Sequence, residues 1–298
     1  MTRDQRAMLY GMGAVGLWST VATAFKWSLE AMRPIELISI AALVSWAFIS
    51  VLVVRKGEMP TALRHGWRHA LWAGMMNPVA YYLVLFAAYD RLPGQEAMAI
   101  NYTWALTMAL LAVPILKQRL TPIDLLAGFV SYAGVWVIAT RGEVFKVNFA
   151  DPVGVGLALV STLLWALYWL FNRRDERAPL VAQWQNFTVG LPVLWGLMLW
   201  QTGLQWHGWA SLGAGIYVGL CEMGIAFVLW QLAVHTVSRT AKVSNLIFLS
   251  PPVSLLLLHV VIGEPILSST LLGLMLILGG LGMQQLQKAP QGDAVAEH

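Results

Sequence analysis

The feature that most constrains this chain is a series of apolar segments, each long enough to cross a lipid bilayer. A transmembrane α-helix needs roughly 20 consecutive apolar residues. Hydrophobic residues make up 58% of the 298 residues and charged residues 11%, whereas soluble domains carry about 25% charged residues. We therefore predict an all-α polytopic membrane protein with ten transmembrane helices. The predicted spans are residues 7–29, 35–54, 69–89, 95–116, 122–140, 153–172, 180–201, 210–234, 240–262 and 267–287.

The positive charges predict how these ten spans are oriented. Cytoplasmic loops of membrane proteins carry an excess of Lys and Arg. Of the 19 Lys and Arg residues, 14 fall on one side of the predicted membrane and 5 on the other. Both termini are therefore predicted to be cytoplasmic. The net charge of +4 is then a determinant of topology, and we expect no nucleic-acid partner. The lone cysteine, Cys221, excludes an intramolecular disulfide.

A weak internal repeat divides the chain into two halves. Several residue types recur at an offset of 144 or 145 residues, and a Trp with a basic residue eight positions later opens both halves. The pairs are Gly74 and Gly219, Gly128 and Gly273, Gly134 and Gly279, Asn101 and Asn245, and Trp18–Lys26 with Trp165–Arg173. We predict a first five-helix repeat at 1–147, a second at 148–287 and a disordered tail at 288–298. Because five is odd, the second repeat enters the membrane from the opposite side, as in many secondary transporters.

The closing stretch of the second half resembles the drug/metabolite transporter superfamily in its ten-helix, EamA-type branch. The resemblance rests on Pro251-Pro252, Gly263-Glu264-Pro265, Gly273 and Gly279, together with the doubled plan and the two Trp signals. The first half departs from the pattern, since it has Gln118-Arg119-Leu120 and no proline that matches Pro252. The resemblance is strongest to bacterial exporters of aromatic amino acids. It implies the inner membrane, alternating access, and a central cavity lined mainly by spans 1, 3, 4, 6, 8 and 9.

Polar and aromatic residues within the spans are the candidate substrate site. A polar group that faces lipid is costly, so such groups are expected to face a cavity or another helix. Aromatic rings can stack on an aromatic substrate and attract its ammonium group. The alternative for each ring is an interfacial anchor, and for Asn77 beside Pro78 it is a kinked packing helix. The candidates are Trp18, Asn77, Tyr81, Tyr82, Asn101, Trp104, Trp165, Trp169, Glu222, Ser244 and Asn245.

Glu222 is the most informative of these candidates, because it lies midway along an apolar span. An ionised carboxylate there is functional or strongly paired. Three interpretations remain open at this stage. The carboxylate binds the substrate's ammonium group, it carries a coupling proton, or it is a structural acid held by hydrogen bonds.

Two further charged features have ordinary interpretations. Lys26 either meets a substrate carboxylate or extends to the lipid headgroups, and the second interpretation is favoured. His65 and His69 have a spacing that can hold a metal, but they lie in a basic loop, and no metal site is predicted.

We predict a secondary transporter that exports aromatic or hydrophobic amino acids and related small metabolites. One alternative is a general drug or metabolite exporter. Another is an intramembrane enzyme that uses Glu222 with His235 or His259, which is disfavoured because both histidines lie near span ends. No nucleotide-binding or catalytic motif occurs, so we expect no enzymatic activity, no cofactor and no metal. The expected partners are a small-molecule substrate and the lipid bilayer, with the protein as a monomer.

Overall fold

The computed structural model describes residues 1–117, 121–145, 151–172, 175–236 and 245–286. Every regular element in these ranges is a helix. The α-helices are α1 (Arg3–Leu29), α2 (Pro34–Arg55), α3 (Met59–Arg64), α4 (Trp67–Gly74), α5 (Tyr81–Arg91), α6 (Gly94–Asn101), α7 (Trp104–Leu116), α8 (Pro122–Ala139), α9 (Pro152–Asn172), α10 (Pro179–Gln201), α11 (Gly208–Leu220), α12 (Ala226–Thr236), α13 (Ser250–Leu257) and α14 (Ser268–Leu286).

Six helical segments in the described ranges are long and apolar enough to cross a membrane. They are Arg3–Leu29, Pro34–Arg55, Trp67–Arg91, Gly94–Ile115, Pro152–Asn172 and Gly208–Ala233. Shorter apolar helices follow at Leu125–Ala139, Ser250–Ile262 and Ser268–Met283, and α10 adds 23 residues. The all-helical, polytopic part of the prediction agrees with this architecture. The count of ten spans and the cytoplasmic placement of both termini stay predictions, and the tail 288–298 lies outside the described residues.

Local sequence signals place the helix starts. Proline is favoured in the first turn of a helix because its missing N–H has no intrahelical partner there. Pro34, Pro122, Pro152 and Pro179 each stand at the first position of a helix. Before Pro152, the Asp151 carboxylate accepts a hydrogen bond from the Gly154 N–H at 2.8 Å, which caps the first turn of α9.

Two long helical segments are interrupted at corresponding points of the proposed repeat. A π-helical turn at Met75–Ala80 separates α4 from α5 and includes Asn77 with non-helical φ and ψ. A second π-helical turn at Cys221–Ile225 separates α11 from α12. Glu222 follows Asn77 by 145 residues, the offset of the repeat. Such turns release backbone groups from the regular α-helical ladder and often mark functional positions.

Contacts between the halves are reciprocal. A Cβ on Gly74 would lie 2.5 Å from the Asn186 carbonyl oxygen, and a Cβ on Gly219 would meet the Ala41 carbonyl oxygen. Asn186 follows Ala41 by the same 145 residues that separate the two glycines. An exchange of this kind is what two-fold-related halves require. It supports the proposed inverted repeat.

Two hydrogen bonds between α2 and α10 show the same exchange at an offset of 145 residues. The Trp195 indole donates to the Ser39 carbonyl oxygen at 3.1 Å, and the Trp184 indole donates to the Ser50 hydroxyl at 2.8 Å. Trp195 corresponds to Ser50, and Trp184 to Ser39, at an offset of 145 residues. The two bonded residue pairs are therefore exchanged by the proposed two-fold relation.

The bundle has two distinct ends, which are defined here by residues that contact one another. The Glu264 end joins residues 26–36, 91–96, 141, 151, 202–207 and 263–265. The Arg177 end joins residues 62–69 and 175–185, and residue 3 with residue 236. Trp200, Trp206 and Trp209 are 64–81% exposed near the Glu264 end. Exposed Trp at one level is typical of a membrane–water interface.

Candidate functional site

A cavity of about 160 Å³ lies between the two proposed halves and reaches the Arg177 end. Tyr82 and Asn77 contribute from the first half, and residues of α9, α10, α12 and the second π-helical turn contribute from the other. The resemblance implied a cavity lined by spans 1, 3, 4, 6, 8 and 9. Spans 3, 6 and 8 do line it, span 7 also contributes, and spans 1, 4 and 9 supply none of its described lining residues.

The wall of this cavity is rich in amides. Asn77 is 4% exposed and Gln183 is 7% exposed, so both side chains are removed from bulk solvent. Asn172 and Trp169 lie beside them on α9. Three of the sequence candidates, Asn77, Tyr82 and Trp169, therefore lie on the cavity wall.

The ring of Trp165 belongs to an aromatic stack next to the cavity. It lies parallel to Tyr81 at a centroid distance of 4.4 Å and to Tyr168 at 5.5 Å. Trp165 also meets the edge of Phe227 at 6.1 Å, and Phe227 is a lining residue. Tyr81 and Trp165 thus support the cavity from behind with their faces already occupied by other rings.

Glu222 is directly connected to the cavity wall. Its carboxylate Oε1 accepts a hydrogen bond from the Tyr82 hydroxyl at 3.1 Å, and Tyr82 lines the cavity. The backbone carbonyl of Glu222 accepts a bond from the Trp18 indole at 3.4 Å. Trp18 packs in turn against Phe227 at 5.8 Å. These contacts place the acid one residue behind the wall, between α1 and α5.

Asn101 joins the two halves at another level. Its Nδ2 group donates to the Ser161 hydroxyl at 2.9 Å, so the amide faces protein, as expected of a polar group in an apolar span. Asn101 ends α6, and Trp104 begins α7. Trp104 is half-buried in the apolar core that surrounds this break.

The remaining predicted residues fall at the edge of the described structure. Ser244 lies outside the described residues, and so does the side chain of Asn245. The backbone of Asn245 starts a 3₁₀ turn, Asn245–Leu249, ahead of α13. A π-helical turn at Leu258–Ile262 follows α13. The helix therefore departs from α geometry on both sides of Pro251-Pro252.

Lys26 has a third role, which the sequence interpretation did not include. Its ammonium group donates to the carbonyl oxygens of Tyr89 at 2.9 Å and Leu92 at 3.1 Å. A cation at these last carbonyls stabilises the carboxyl end of α5. Lys26 therefore joins α1 to the carboxyl end of α5 at the Glu264 end.

A network of charged groups borders the cavity at the Arg177 end. The Arg177 guanidinium binds both carboxylate oxygens of Asp175, with the shortest contact at 2.7 Å, and donates to Gln185 Oε1 at 2.7 Å. His69 Nε2 lies 3.5 Å from Asp175. No carboxylate lies near His69 in the sequence, but the fold brings Asp175 of the other half beside it. The described residues include no cluster of three His, Cys, Asp or Glu side chains that could hold a metal ion.

The Asp175 carboxylate makes stability depend on pH. Burial raises its pKa, but the bonds from Arg177 and the nearby His69 outweigh burial and hold the pKa below its usual range. A group with a lowered native pKa stabilises above the unfolded-state value, about 3.9, and loses this effect as the pH falls through the native value. We therefore expect Asp175→Asn to lower the melting temperature at pH 7, and the difference from the parent to shrink as the pH falls through the native pKa of Asp175.

Melting of the detergent-solubilised protein between pH 3 and pH 8 measures this difference. Asp90→Asn, an exposed change on α5, is the control for removing a carboxylate. A gap between Asp175→Asn and the parent that stays constant over the whole pH range would contradict the assignment.

Several cavity residues were not among the sequence candidates. Gln183 and Asn186 are 7% and 2% exposed, and they stand with Gln185 in the first turns of an apolar span. Three amides so close together in a transmembrane helix are themselves a signal of an internal site. Tyr168 and Asn172 follow Trp165 by three and seven residues, the spacing that puts side chains on one face of a helix.

The fold and the cavity agree with the comparison to known families. The profile of the EamA-like transporter family matches residues 5–140 and residues 152–283. The two matched segments cover both halves and nearly the whole chain. The chain therefore belongs to the EamA-like transporter family, which confirms the resemblance found in the sequence, and it is a multi-pass membrane protein of the transporter class.

Individual relatives are distant. An uncharacterized transporter of Archaeoglobus fulgidus is 19% identical over 272 residues, which are 90% of this chain and 94% of the relative. A probable terminal-alkyne amino-acid exporter of Streptantibioticus cattleyicolor is 25% identical, with 64% of each chain covered. The aromatic amino acid exporter YddG of Salmonella typhimurium is 23% identical over 58% of this chain and 61% of its own length. A solved crystal structure superposes with a TM-score of 0.67 at 24% identity over 94% of this chain, which supports the fold.

Proposed function

We propose that this protein exports aromatic or hydrophobic amino acids, and related small metabolites, by alternating access between two inverted repeats. The observation that carries the proposal is the cavity between the halves, with amides on its wall and an aromatic stack beside it. Secondary transporters of inverted-repeat design bind substrate at the interface of the repeats. The proposed site faces the cytoplasm, because Arg177 belongs to the side that holds 14 of the 19 Lys and Arg residues in the predicted topology.

Contacts at the opposite end agree with a cavity that is open on one side only. The Glu264 carboxylate accepts bonds from the backbone N–H groups of Gly94 at 2.7 Å and Gln95 at 3.2 Å. Arg91 pairs with Asp151 at 3.0 Å. Both sets of contacts join the first half to the second. Alternating access requires them to separate when the site opens to the other side.

Two of the relatives are named as amino-acid exporters, one of them for aromatic amino acids. This supports an amino-acid substrate for the present chain. A general drug or metabolite exporter is the second candidate, since the family match fixes only the transporter class. The enzyme hypothesis gains no support from His259, whose Nδ1 lies 2.9 Å from the Glu264 carbonyl oxygen, while Glu222 bonds to Tyr82. The side chain of His235 lies outside the described residues.

Counterflow in proteoliposomes tests the substrate class. We expect purified protein to exchange labelled phenylalanine and tryptophan at least about tenfold faster than threonine or lysine, because 1.4 kcal/mol of added stacking and burial equals a factor of ten. Liposomes without protein set the background. Equal exchange of all four amino acids favours the general exporter, and chemical conversion without exchange favours the enzyme.

Glu222→Gln in the same assay separates the two functional roles of the acid. If Glu222 binds the substrate's ammonium group, the flux falls both with and without a pH gradient. If it carries a coupling proton, only the flux driven by the gradient is lost. A structural acid predicts instead that the variant loses thermal stability while its remaining flux keeps the parent's response to pH.

A further inference from the structure

The cavity wall carries buried polar atoms whose hydrogen-bonding capacity is unused. Among the described residues, Asn77 Oδ1, Asn172 Oδ1, Gln183 Oε1 and Trp169 Nε1 are buried without a hydrogen-bond partner, and all four residues line the cavity. Buried polar atoms in native proteins are nearly always satisfied, so a group of exceptions calls for an explanation. Three of these four atoms are acceptors. The wall is thus suited to a ligand that donates hydrogen bonds.

A contact on the other side of Gln183 indicates which of its amide atoms faces the cavity. Gln183 Nε2 donates to the Met223 carbonyl oxygen at 2.6 Å, which directs its own oxygen elsewhere. Because an amide has one donating and one accepting end, a donor committed to protein leaves the Gln183 oxygen for the cavity. Asn77 Oδ1 and Asn172 Oδ1 are likewise buried without a partner, in residues that line the same cavity.

The one cation on the described wall is poorly placed to receive a carboxylate. The guanidinium of Arg177 directs Nε and Nη2 at Asp175 and Nη1 at Gln185, and Nη2 also donates to Asn186 at 3.2 Å. Most of its five N–H donors are therefore used within the protein. Asp175 also neutralises its charge.

We propose that this cavity selects its ligand by an ammonium group, which the oxygens of Asn77, Asn172 and Gln183 accept, and that a carboxylate is not required. This inference rests on the proposed function, and it broadens the substrate class from amino acids to small primary amines with an apolar body. Trp169, Tyr82 and Phe227 surround the same space, and aromatic faces attract organic cations. Three acceptors match the three N–H donors of a primary ammonium group.

Cavity size fits a head group of this kind. A volume of about 160 Å³ lies below the roughly 300–1,000 Å³ of pockets that enclose a drug-sized ligand. It accommodates an ammonium group with its adjoining carbons. A larger apolar body has to extend toward Phe227 and Trp169, which lie next to the aromatic stack.

Calorimetric titration of the purified full-length protein with three matched ligands tests the proposal. The ligands are phenylalanine, 2-phenylethylamine, which lacks the carboxylate, and 3-phenylpropionate, which lacks the ammonium group. We expect the amine to bind within about threefold of phenylalanine and the acid to bind at least about tenfold more weakly, because bonds to a charged group are lost.

Binding of the acid as tightly as phenylalanine, with no binding of the amine, would overturn the inference and leave the export of amino acids intact. Binding of none of the three, together with no counterflow, would overturn the proposed function and this inference with it. Asn172→Leu and Gln183→Met each remove one accepting oxygen and should weaken the amine at least about fivefold. Gln201→Met, an exposed change on the same helix as Gln183, should not.

Melting temperatures show whether each variant is folded. If Gln183→Met fails to fold because its bond to Met223 is lost, Asn172→Leu still tests whether the amide oxygens accept the ammonium group. A folded Asn172→Leu protein that binds 2-phenylethylamine as the parent does contradicts the assignment of the amide oxygens.

Discussion

Gly280→Val should strongly destabilise the protein, whereas the same change at the neighbouring Gly279 should be tolerated. A Cβ on Gly280 would collide with the Ser131 hydroxyl and lie 2.5 Å from the Ala127 carbonyl oxygen. The second contact is with backbone, which cannot rotate away. A Cβ on Gly279 has no described atom within 4 Å, so Gly279→Val controls for valine in the same helical turn.

The expected cost of Gly280→Val is about 3 kcal/mol or more, the upper part of the range for overpacked sites. With about 2–4 °C of melting temperature per kcal/mol, the loss is at least about 6 °C. Thermal melting in detergent measures it. The collision lies where α8 of the first half packs on α14 of the second, so a folded variant should also show weaker association of the halves. Equal melting temperatures for the two variants would mean that this seam is not closely packed.

Glu264→Ala should produce the second large effect, by leaving the start of α6 without its acceptor. The Glu264 carboxylate accepts from the Gly94 and Gln95 N–H groups, and Gln95 Nε2 donates back to the Glu264 carbonyl oxygen at 3.2 Å. An anion at a helix amino terminus is favourable because the first N–H groups have no intrahelical partner. Here that anion is supplied by the opposite half, 170 residues away.

We expect Glu264→Ala to cost about 2–3 kcal/mol, the value of hydrogen bonds to a charged group in a partly buried position. Glu264→Gln keeps an acceptor and loses the charge, so its cost should be about half as large. Glu30→Ala, an exposed carboxylate near the same end, controls for the loss of a negative charge. Denaturant or thermal unfolding in detergent measures the stabilities of the three variants relative to the parent. A Glu264→Ala variant as stable as Glu30→Ala would contradict the capping role.

The Glu264 contact explains a sequence motif in physical terms. In the sequence, Gly263-Glu264-Pro265 indicates only a resemblance to the EamA-type branch and has no assigned physical role. In the structure Gly263 has φ +80°, the left-handed region that favours glycine, and it ends the helical turn after α13. The chain then turns so that Glu264 reaches α6. The motif joins the two halves, which its local sequence does not reveal.

The candidate site shows where reasoning from the sequence stops. Trp165 and Trp169 are both candidates, and the structure brings their rings together at 5.7 Å on α9. The sequence does not show which of these rings pack against other rings. Trp165 is covered by Tyr81 and Tyr168, whereas Trp169 reaches the cavity.

By itself, the sequence determined the class of this protein: apolar spans of membrane length, a duplicated pattern and polar groups inside lipid-spanning helices. Those properties depend on composition and on residues close together in the chain, where the bilayer's thickness and the cost of an unpaired polar group limit the choices. Only the tertiary structure decided which polar groups share a space. Gln183 and Asn77 are 106 residues apart and line one cavity because of how α10 packs on the π-helical turn after α4. Their two buried, unpartnered oxygens, and the ligand we propose for them, follow from that packing.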